Sequence, residues 1–312
     1  MPHADPTRPT VAIVGPTAAG KSAVAMALAQ CDPTVELLSV DSMQVYRGMD
    51  VGTAKPTEAE QAAVRHHLID LIDPHESMHL VDFTRHHDDA IAEIDRRGGR
   101  GVLVGGTGLY LRAVVDRLTP PPKFPEVEAE LEDELDTEAL HARLVELDPL
   151  AASRMEPTNR RRVVRALEVT IGSGRPFSSF GPGMEEYPPS AVVHVGVDVA
   201  RPLLDERIHR RYAAQVDAGF LDEVTALLDA DPPWSRTAAQ ALGYKELALH
   251  VTGDLSLADA VALAEQRTRR FARRQQRWFR RDPRITWFEH TGDPLELVDR
   301  IEAHVQAATA DA

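Results

Sequence analysis

Short apolar runs alternate with longer amphipathic segments in the first part of the chain. Thr10–Val14, Val35–Val40 and Gly101–Val104 are short and apolar, which predicts buried strands. Helices are predicted between them, over Ser22–Gln30 and Val81–Arg97. Strands that alternate with helices form a parallel sheet with helices on its faces. The pattern therefore predicts an α/β fold with a parallel sheet flanked by helices.

This alternation stops at three consecutive prolines, residues 120–122. From there the sequence predicts helices over Glu126–Glu146 and Asn159–Ile171 and no strand, until a strand is predicted at Ala191–Val197. The helical stretch is thus expected to be an insertion into the core. The predicted parts are a first part of the core over residues 1–118, an all-helical insertion over residues 119–190, and completion of the core with C-terminal helices over residues 191–312.

The C-terminal third is predicted to be mostly helical. A helix over Pro202–Ala218 follows the resumed strand, and a late strand is predicted at Arg284–Phe288. No apolar run is long enough to span a membrane, and Met1–Pro9 has no apolar signal core. The single cysteine, Cys31, excludes a disulfide framework and a multi-cysteine zinc module. We therefore expect a cytoplasmic protein without a membrane partner.

Charge is distributed unevenly along the chain. The formal net charge is −14, yet Arg267–Arg281 contains eight arginines and no acid. A second basic cluster lies at Arg160, Arg161, Arg162 and Arg165, whereas Glu126–Glu138 contains eight acids and no base. A local field attracts a polyanion more than the net charge does, so the basic segments indicate a nucleic-acid surface. The alternative is that they are solvated faces of helices.

One segment matches the phosphate-binding pattern G-x-x-x-x-G-K-[ST] at every fixed position and lies between a predicted strand and a predicted helix. Backbone N–H groups of such a loop converge on an anion at the helix N-terminus. Lys21 is expected to neutralise the terminal phosphate, and Ser22 to bind Mg²⁺ through its hydroxyl. This phosphate loop consists of Gly15, Pro16, Thr17, Ala18, Ala19, Gly20, Lys21 and Ser22.

The phosphate loop alone does not identify a reaction. Many nucleotide hydrolases carry a Mg²⁺-binding Asp at the end of a nearby strand, but the strand Gly101–Val104 ends in glycines. The candidate acid is Asp41, after the strand Val35–Val40. Because the carboxyl ends of parallel strands line the ligand crevice, Asp41 is expected to face the phosphate loop and to act as a base on an acceptor. Alternatively, Asp41 caps the chain or binds a metal through water.

Four further segments, taken with the phosphate loop, resemble the bacterial type of the tRNA dimethylallyltransferases, also called isopentenyl-diphosphate:tRNA transferases. The longest and most specific is D-S-M-Q-V-Y-R-G-M-D-V-G-T-A-K-P. The resemblance extends from about residue 10 to about residue 290 and includes the basic segments Arg161–Val169 and Arg267–Arg281. The four segments are Asp41–Pro56, His66–Asp70, Gly105–Tyr110 and Gln240–Lys245.

The resemblance implies transfer of a dimethylallyl group from dimethylallyl diphosphate to N6 of adenosine 37, immediately 3′ of the anticodon, in tRNAs that read codons beginning with U. It implies that the diphosphate lies on the phosphate loop with Mg²⁺ and that Asp41 is the general base. It also implies that Ser42, Met43, Gln44 and Thr107 contact the extruded adenosine with Asp41, and that the insertion binds the anticodon arm. We expect a monomer, because one arm needs one insertion.

Helix geometry indicates roles for further basic residues. On a helix, Arg207 and Arg211 lie one turn apart and are candidates for additional diphosphate contacts, or are plain surface arginines. A helix would also align Arg267, Arg270, Arg274, Arg277 and Arg281 as one stripe, the arginine stripe, beside apolar Phe271 and Trp278. The predicted tRNA contacts of the basic segments are Arg161, Arg162, Val163, Val164, Arg165, Arg270 and Arg274.

Two positions depart from the family pattern. Many relatives carry an RNA-contacting arginine where this chain has Glu128, so that contact is not carried over. The family often has Gln at the position of Arg161. The long arginine side chain, which also donates hydrogen bonds, can take the place of that Gln.

Three other functions fit part of the sequence. A small-molecule kinase using ATP would explain the phosphate loop and Asp41, but not the arginine-rich segments or the insertion. A dimethylallyltransferase acting on free adenylate would share the chemistry without needing the insertion. An RNA-binding GTPase-like switch would need a guanine-specifying N-K-x-D run, which is not recognisable in the sequence.

Overall fold

A computed structural model of the protein describes residues 11–181 and 186–310, and its chain divides into two compact units. One unit, the core unit, comprises the described residues up to Arg117 and from Pro189 onward. The other, the helical unit, is the described part of Leu118–Pro188. Each unit has its own cluster of buried apolar side chains.

The core unit is built on a parallel sheet, so the predicted α/β fold is confirmed. Its strand order is β3-β2-β4-β1-β5-β6, with the four residues of β1 all buried at its centre. The two-residue strand β3, which pairs with Leu37 and Leu38, was not predicted because it is too short to show a periodicity. The strands are β1 (Val11–Val14), β2 (Val35–Ser39), β3 (His66–His67), β4 (Arg100–Gly105), β5 (Val193–Val199) and β6 (Ile285–His290).

Helices in the described part of the chain belong either to the core unit or to the helical unit. Those of the core unit before the insertion are α1 (Lys21–Cys31), α2 (Glu58–Ala63), α3 (Leu80–Arg96) and α4 (Gly108–Val115). Those of the helical unit are α5 (Pro125–Asp133), α6 (Thr137–Leu147), α7 (Pro149–Ser153) and α8 (Arg160–Ser173). Those of the core unit after it are α9 (Arg201–Asp217), α10 (Phe220–Leu228), α11 (Tyr244–Val251), α12 (Leu257–Phe279) and α13 (Val298–Ala310).

The strand register brings three sequence motifs to one edge of the sheet. Val14, the last residue of β1, pairs with Gly105, and Ser39 at the end of β2 pairs with Val104. The phosphate loop after β1, Asp41 after β2 and Thr107 after β4 therefore all leave the sheet at its carboxyl edge. This edge is where open parallel sheets bind their ligands.

The helical unit corrects one predicted element. Instead of one helix over Glu126–Glu146, the chain forms α5 and α6, separated by residues 134–136. Asp136 ends the continuous helix, since its carboxylate accepts hydrogen bonds from the Glu138 and Ala139 N–H groups and thus caps α6. Leu135 between the helices is 88% exposed. The spacing of apolar residues remains helical through this segment, but the hydrogen bonds to Asp136 separate the two helices.

No helix in the described ranges is both long enough and apolar enough to cross a membrane.

Candidate active site

The phosphate loop has a backbone that only its glycines permit. Gly15 has φ +146°, and a Cβ there would lie 2.2 Å from the carbonyl oxygen of Val197 in the adjacent strand β5. Gly20 has φ +96° immediately before α1, where a Cβ would lie 2.5 Å from Pro294. The two fixed glycines of the motif thus allow the loop to pack against β5 and residue 294, and turn it into the N-terminus of α1.

Lys21, the first residue of α1, lies inside this loop. Its ammonium donates a hydrogen bond to the carbonyl oxygen of Pro16 over 2.7 Å. Burial lowers the pKa of Lys21 to about 8, although the neighbouring Asp41 carboxylate raises it, and the Arg211 guanidinium lowers it further. The ammonium is therefore poorly compensated in the protein alone, and an anion on the loop would stabilise its charged form.

Both candidate arginines of α9 reach the phosphate loop. Arg207 Nε donates to the carbonyl oxygen of Ala18 over 2.8 Å, and Arg211 Nη1 donates to Thr17 Oγ1 over 3.0 Å. Each is only partly exposed, so the reading of plain surface arginines does not hold. Together with Lys21, they concentrate positive charge around the loop in a chain whose net charge is −14.

Two buried side chains that the sequence did not indicate also bind the phosphate loop. Gln275 of α12 accepts from the Thr17 N–H over 2.9 Å and donates to the Gly106 carbonyl over 2.8 Å. His290, the last residue of β6, lies with Nε2 2.9 Å from the Ala19 carbonyl oxygen. Since both are more than 250 positions from the loop, no local spacing could have revealed them.

Asp41 lies at the carboxyl end of β2, close to Thr107. Asp41 Oδ1 accepts from the Met43 N–H over 2.9 Å, which turns the chain back toward the sheet. Thr107 Oγ1 accepts from the Ser42 N–H over 3.0 Å, and the Thr107 N–H donates to the Val40 carbonyl over 3.1 Å. The structure thus brings together the predicted base and the residues predicted to contact the acceptor.

Gln44, predicted to contact the acceptor, is held by its own segment. Its side-chain oxygen accepts from Ser39 Oγ over 2.7 Å, and its amide donates to the Ala54 carbonyl over 3.1 Å. Met43 is half-buried and packs against the core. These contacts fix both side chains and place Gln44, though not Met43, in the wall of the cavity described next.

A cavity of about 240 Å³ opens at the carboxyl edge of the sheet and is lined by the phosphate loop, Asp41 and Gln44, but not by Ser42 or Thr107. Its cationic end is formed by the phosphate loop and the two α9 arginines, and carboxylate and amide groups line the other walls. Apolar Met26 and Leu37 complete the wall. The arrangement leaves space for an anion beside the Asp41 carboxylate. The predicted site residues that line it are Thr17, Ala18, Gly20, Lys21, Ser22, Asp41, Gln44, Arg207 and Arg211.

Ser22 and Asp41 offer oxygen ligands that suit a magnesium ion. Ser22 is exposed at the start of α1, and Asp41 faces the same cavity. Hydroxyl and carboxylate oxygens are the hard ligands that Mg²⁺ prefers, and Mg²⁺ commonly takes its remaining ligands from phosphates and water.

The long motif Asp41–Pro56 is held by buried charges. Lys55, only 8% exposed, donates to the Tyr46 carbonyl and to the carboxylates of Asp50 and Asp70. Glu223 of α10 accepts from the N–H groups of residues 50, 51 and 52 and from the Tyr244 hydroxyl. Lys55 and Glu223 therefore fix the shape of this loop, and Glu223 was missed because it lies outside the motif.

The arginine stripe on α12 is shorter than predicted. Arg267 forms an ion pair with Glu246, a carboxylate only 1% exposed, so its charge is used within the core unit. Arg270, Arg274 and Arg277 are exposed along the helix, and Arg281 is exposed just beyond its end. The buried side of α12 is formed by Ala264, Thr268, Ala272, Gln275 and Phe279.

Phe271 and Trp278 are half-buried and do not form the centre of the α12 core face. The guanidinium of Arg274 lies 5.6 Å from the centre of the Phe271 ring. Trp278 packs against Gly108, where a Cβ would lie 2.0 Å from the indole nitrogen. The indole thus lies beside the start of α4, next to Thr107.

The helical unit buries two of the predicted tRNA contacts and pairs the charge of a third. Val163 and Val164 are 0% and 5% exposed within its apolar cluster, so their side chains are not accessible to RNA. Arg165 donates to the Pro121 carbonyl over 2.7 Å and lies 2.7 Å from the buried Glu168 carboxylate, so its charge is already paired. Arg161 and Arg162 are exposed. In a helix, successive residues point to different faces, so the exposed Arg161 and Arg162 are followed directly by the buried Val163 and Val164.

Known proteins resemble the chain over most of its length. Residues 44–282 match the model of a family described as IPP transferase. A tRNA dimethylallyltransferase of a Nocardioides species is 47% identical over 306 residues, which cover 97% of each chain, and one of Geobacter metallireducens is 44% identical over 287 residues, which cover 90% of this chain and 93% of that one.

Solved structures show the same fold. The crystal structure of the full-length tRNA isopentenylpyrophosphate transferase of Bacillus halodurans has a TM-score of 0.68 and 38% identity, and the match covers 96% of this chain and 97% of that one. A eukaryotic dimethylallyltransferase acting on tRNA matches with a TM-score of 0.79 at 24% identity, over 96% of this chain and 78% of that one.

The lowered pKa of Lys21 predicts a pH dependence of anion binding. Below about pH 8 the Lys21 ammonium is charged, and we expect it to bind pyrophosphate. Above that pH, Lys21 must take up a proton for pyrophosphate to bind, so we expect the affinity for pyrophosphate to fall by up to about tenfold per pH unit. Calorimetric titration with Mg²⁺ and pyrophosphate from pH 6.5 to 9.5 measures this. Lys21→Arg is the control, because a guanidinium stays charged over this range. An equal fall in Lys21→Arg would assign the dependence to another group.

Proposed function

Since the chain belongs to the IPP transferase family, we propose that it is a tRNA dimethylallyltransferase. It transfers the dimethylallyl group of dimethylallyl diphosphate to N6 of adenosine 37 in tRNAs that read codons beginning with U, and releases pyrophosphate. The observation that carries the proposal is the cavity in which a phosphate loop with Lys21, Arg207 and Arg211 adjoins the carboxylate Asp41.

The cationic part of the cavity suits the leaving group. When the bond between the donor's C1 and its oxygen breaks, the electron pair stays on pyrophosphate, so negative charge increases there. Lys21, Arg207 and Arg211 line the cavity beside the start of α1, and together with the N–H groups of that helix end they would stabilise this charge. Mg²⁺, held through Ser22, would add further neutralisation of the diphosphate.

Asp41 suits the acceptor. The lone pair of an adenine N6 amine is delocalised into the ring, which makes the amine a poor nucleophile. In the reaction, N6 forms a bond to C1 of the donor as the C1–O bond breaks, and the proton leaving N6 goes to the Asp41 carboxylate. Thr107 and Gln44 then orient the base, which must be extruded from its stack to enter the cavity.

The exposed arginines suit a tRNA. Arg270, Arg274 and Arg277 on α12 offer charge to the phosphate backbone, and Arg161 and Arg162 do so on the helical unit, which we assign to the anticodon arm. We propose that the protein acts in the cytoplasm as a monomer, where tRNA is its acceptor.

A transfer assay tests the proposal. Purified protein is incubated with Mg²⁺, dimethylallyl diphosphate and unmodified tRNA that reads a codon beginning with U, with free AMP as a parallel acceptor. Mass spectrometry of the nucleosides is expected to show adenosine carrying one dimethylallyl group in the tRNA sample alone. Product on AMP alone would move the acceptor to free adenylate. No product on either, with hydrolysis of ATP, would favour the kinase.

The general base is tested by substitution of Asp41. Asp41→Ala is expected to lower kcat about 10²- to 10⁴-fold and to leave donor binding within a few-fold of the wild type, because the carboxylate acts on the acceptor proton. Asp41→Asn, which retains an acceptor for the Met43 N–H, is the matched control for loop shape. Loss of donor binding with unchanged kcat would contradict the role.

The arginine stripe is tested by charge reversal. Arg270→Glu combined with Arg274→Glu is expected to raise the KM for tRNA, to reduce the slope of log KM against log salt concentration by about two, and to leave the KM for the donor unchanged. Arg85→Glu with Arg96→Glu on α3 makes the same change in net charge and serves as the control. If both pairs of substitutions raised the KM for tRNA equally, the arginine stripe would be a solvated face of the helix and not a tRNA-binding surface.

A further inference from the structure

Gln275 is a buried polar side chain with partners on two strand ends. It is 6% exposed on α12. Its carbonyl oxygen accepts from the Thr17 N–H of the phosphate loop, after β1, and its amide nitrogen donates to the Gly106 carbonyl, after β4. A buried amide without partners is costly, and here both of its functions are satisfied by backbone.

The surroundings of Gln275 are shaped for it. A Cβ at Gly106 would lie 2.2 Å from the Gln275 amide nitrogen, so residue 106 leaves the space that the side chain occupies. Thr17 is bound from its other side by Arg211, through its hydroxyl. Gly106 immediately precedes Thr107, which binds the Ser42 N–H beside Asp41. One side chain thus joins the loop that holds the donor and the segment that faces the acceptor.

We propose that Gln275 is a positioning residue that sets the distance between the bound diphosphate and the acceptor side of the cavity. The inference rests on the proposed transfer reaction. The side-chain hydrogen bonds of Gln275 go to backbone groups of Thr17 and Gly106, and Gln275 acts through them. It fixes the distance between the phosphate loop and the residue that follows β4. Transfer between two substrates depends steeply on such a distance, and a displacement of about 1 Å costs about 10²-fold.

The position of Gln275 within α12 adds a second consequence. Arg274, the residue before it, is exposed on the arginine stripe, whereas Gln275 points into the core unit. The same helix therefore carries the tRNA-facing charge and the bond to the phosphate loop. A variant at Gln275 should disturb the donor and the chemical step, while leaving the tRNA-binding face of the helix intact.

The main test replaces Gln275 by Met, which is unbranched and similar in length but forms neither hydrogen bond. Gln275→Met is expected to weaken pyrophosphate binding about tenfold in calorimetry and to lower kcat about 10- to 100-fold, with the KM for tRNA unchanged. The matched control is Gln276→Met. Its side chain is the neighbour on the same helix and bonds instead to Asp198 over 2.8 Å, so it should behave as the wild type.

A second variant tests the proposal even if the Gln275→Met variant fails to fold. Gln275→Glu keeps an acceptor for the Thr17 N–H but loses the donor to Gly106 and places a negative charge near the diphosphate, so it should bind pyrophosphate more weakly than Gln275→Met. A merely structural role would lower the melting temperature of either variant and leave pyrophosphate affinity and kcat at wild-type values at 25 °C. That result would overturn the proposal, as would an increase confined to the KM for tRNA.

The pyrophosphate titration separates this inference from the proposed function. If the wild type binds pyrophosphate but forms no product on tRNA, the transfer reaction is wrong, and the role of Gln275 in transfer falls with it, whatever the variants bind. If the wild type modifies tRNA and both Gln275 variants bind pyrophosphate and turn over as it does, the role of Gln275 is wrong and the reaction stands.

Discussion

A phosphate loop can bind an anion only if its backbone N–H groups and a few cations converge within a few ångströms, and this constraint organises the core unit. The phosphate loop supplies the N–H groups and has internal hydrogen bonds, such as that from Lys21 to the Pro16 carbonyl, but the rest of the core unit adds further ones. Contacts to its backbone come from Arg207 on α9, Gln275 on α12 and His290 on β6. The C-terminal elements therefore complete a site whose recognisable motif lies near the N-terminus, and the helical insertion interrupts the chain between the two.

The acceptor side depends on buried charge in the same way. Asp41 leaves β2 at the carboxyl edge, and the segment after it would be free to move without Lys55 and Glu223. Lys55 neutralises two carboxylates of the segment and its neighbours, and Glu223 gathers three N–H groups of one turn. Lys55 is itself buried, whereas Asp50 and Asp70 are 58% and 40% exposed, so loss of the two carboxylates would leave a buried ammonium unpaired, which costs more than the pairs contribute. Specific loop shape, rather than additional catalytic groups, accounts for the length of the motif.

Local features of the sequence predicted local structure well. The strands β1, β2 and β4, the phosphate loop and the position of Asp41 follow from apolar runs and from a motif of eight residues, because their causes lie within a few positions of them. The division of α5 from α6 was missed because two capping hydrogen bonds to Asp136 outweighed a continuous apolar period. Val163 and Val164 were misassigned because a motif taken whole does not distinguish the buried face of a helix from its exposed face.

Contacts across the chain were beyond the reach of the sequence. Gln275 lies 258 positions from Thr17, and Glu223 lies 173 positions from Asp50. Each is an ordinary polar residue on a helix until folding places it against backbone groups that need a partner. Arg207 and Arg211 were predicted either as additional diphosphate contacts or as plain surface arginines, and only the fold shows that both bind the phosphate loop.

In the proposed reaction, the phosphate loop binds the diphosphate of a prenyl donor and not a nucleotide. Competition binding distinguishes the two ligands: the protein is loaded with Mg²⁺ and dimethylallyl diphosphate, and pyrophosphate or ATP is titrated against it in a calorimeter. We expect dimethylallyl diphosphate to bind at one site, pyrophosphate to displace it, and ATP to compete only weakly. Tight binding of ATP that excludes dimethylallyl diphosphate would show that the loop is a nucleotide site.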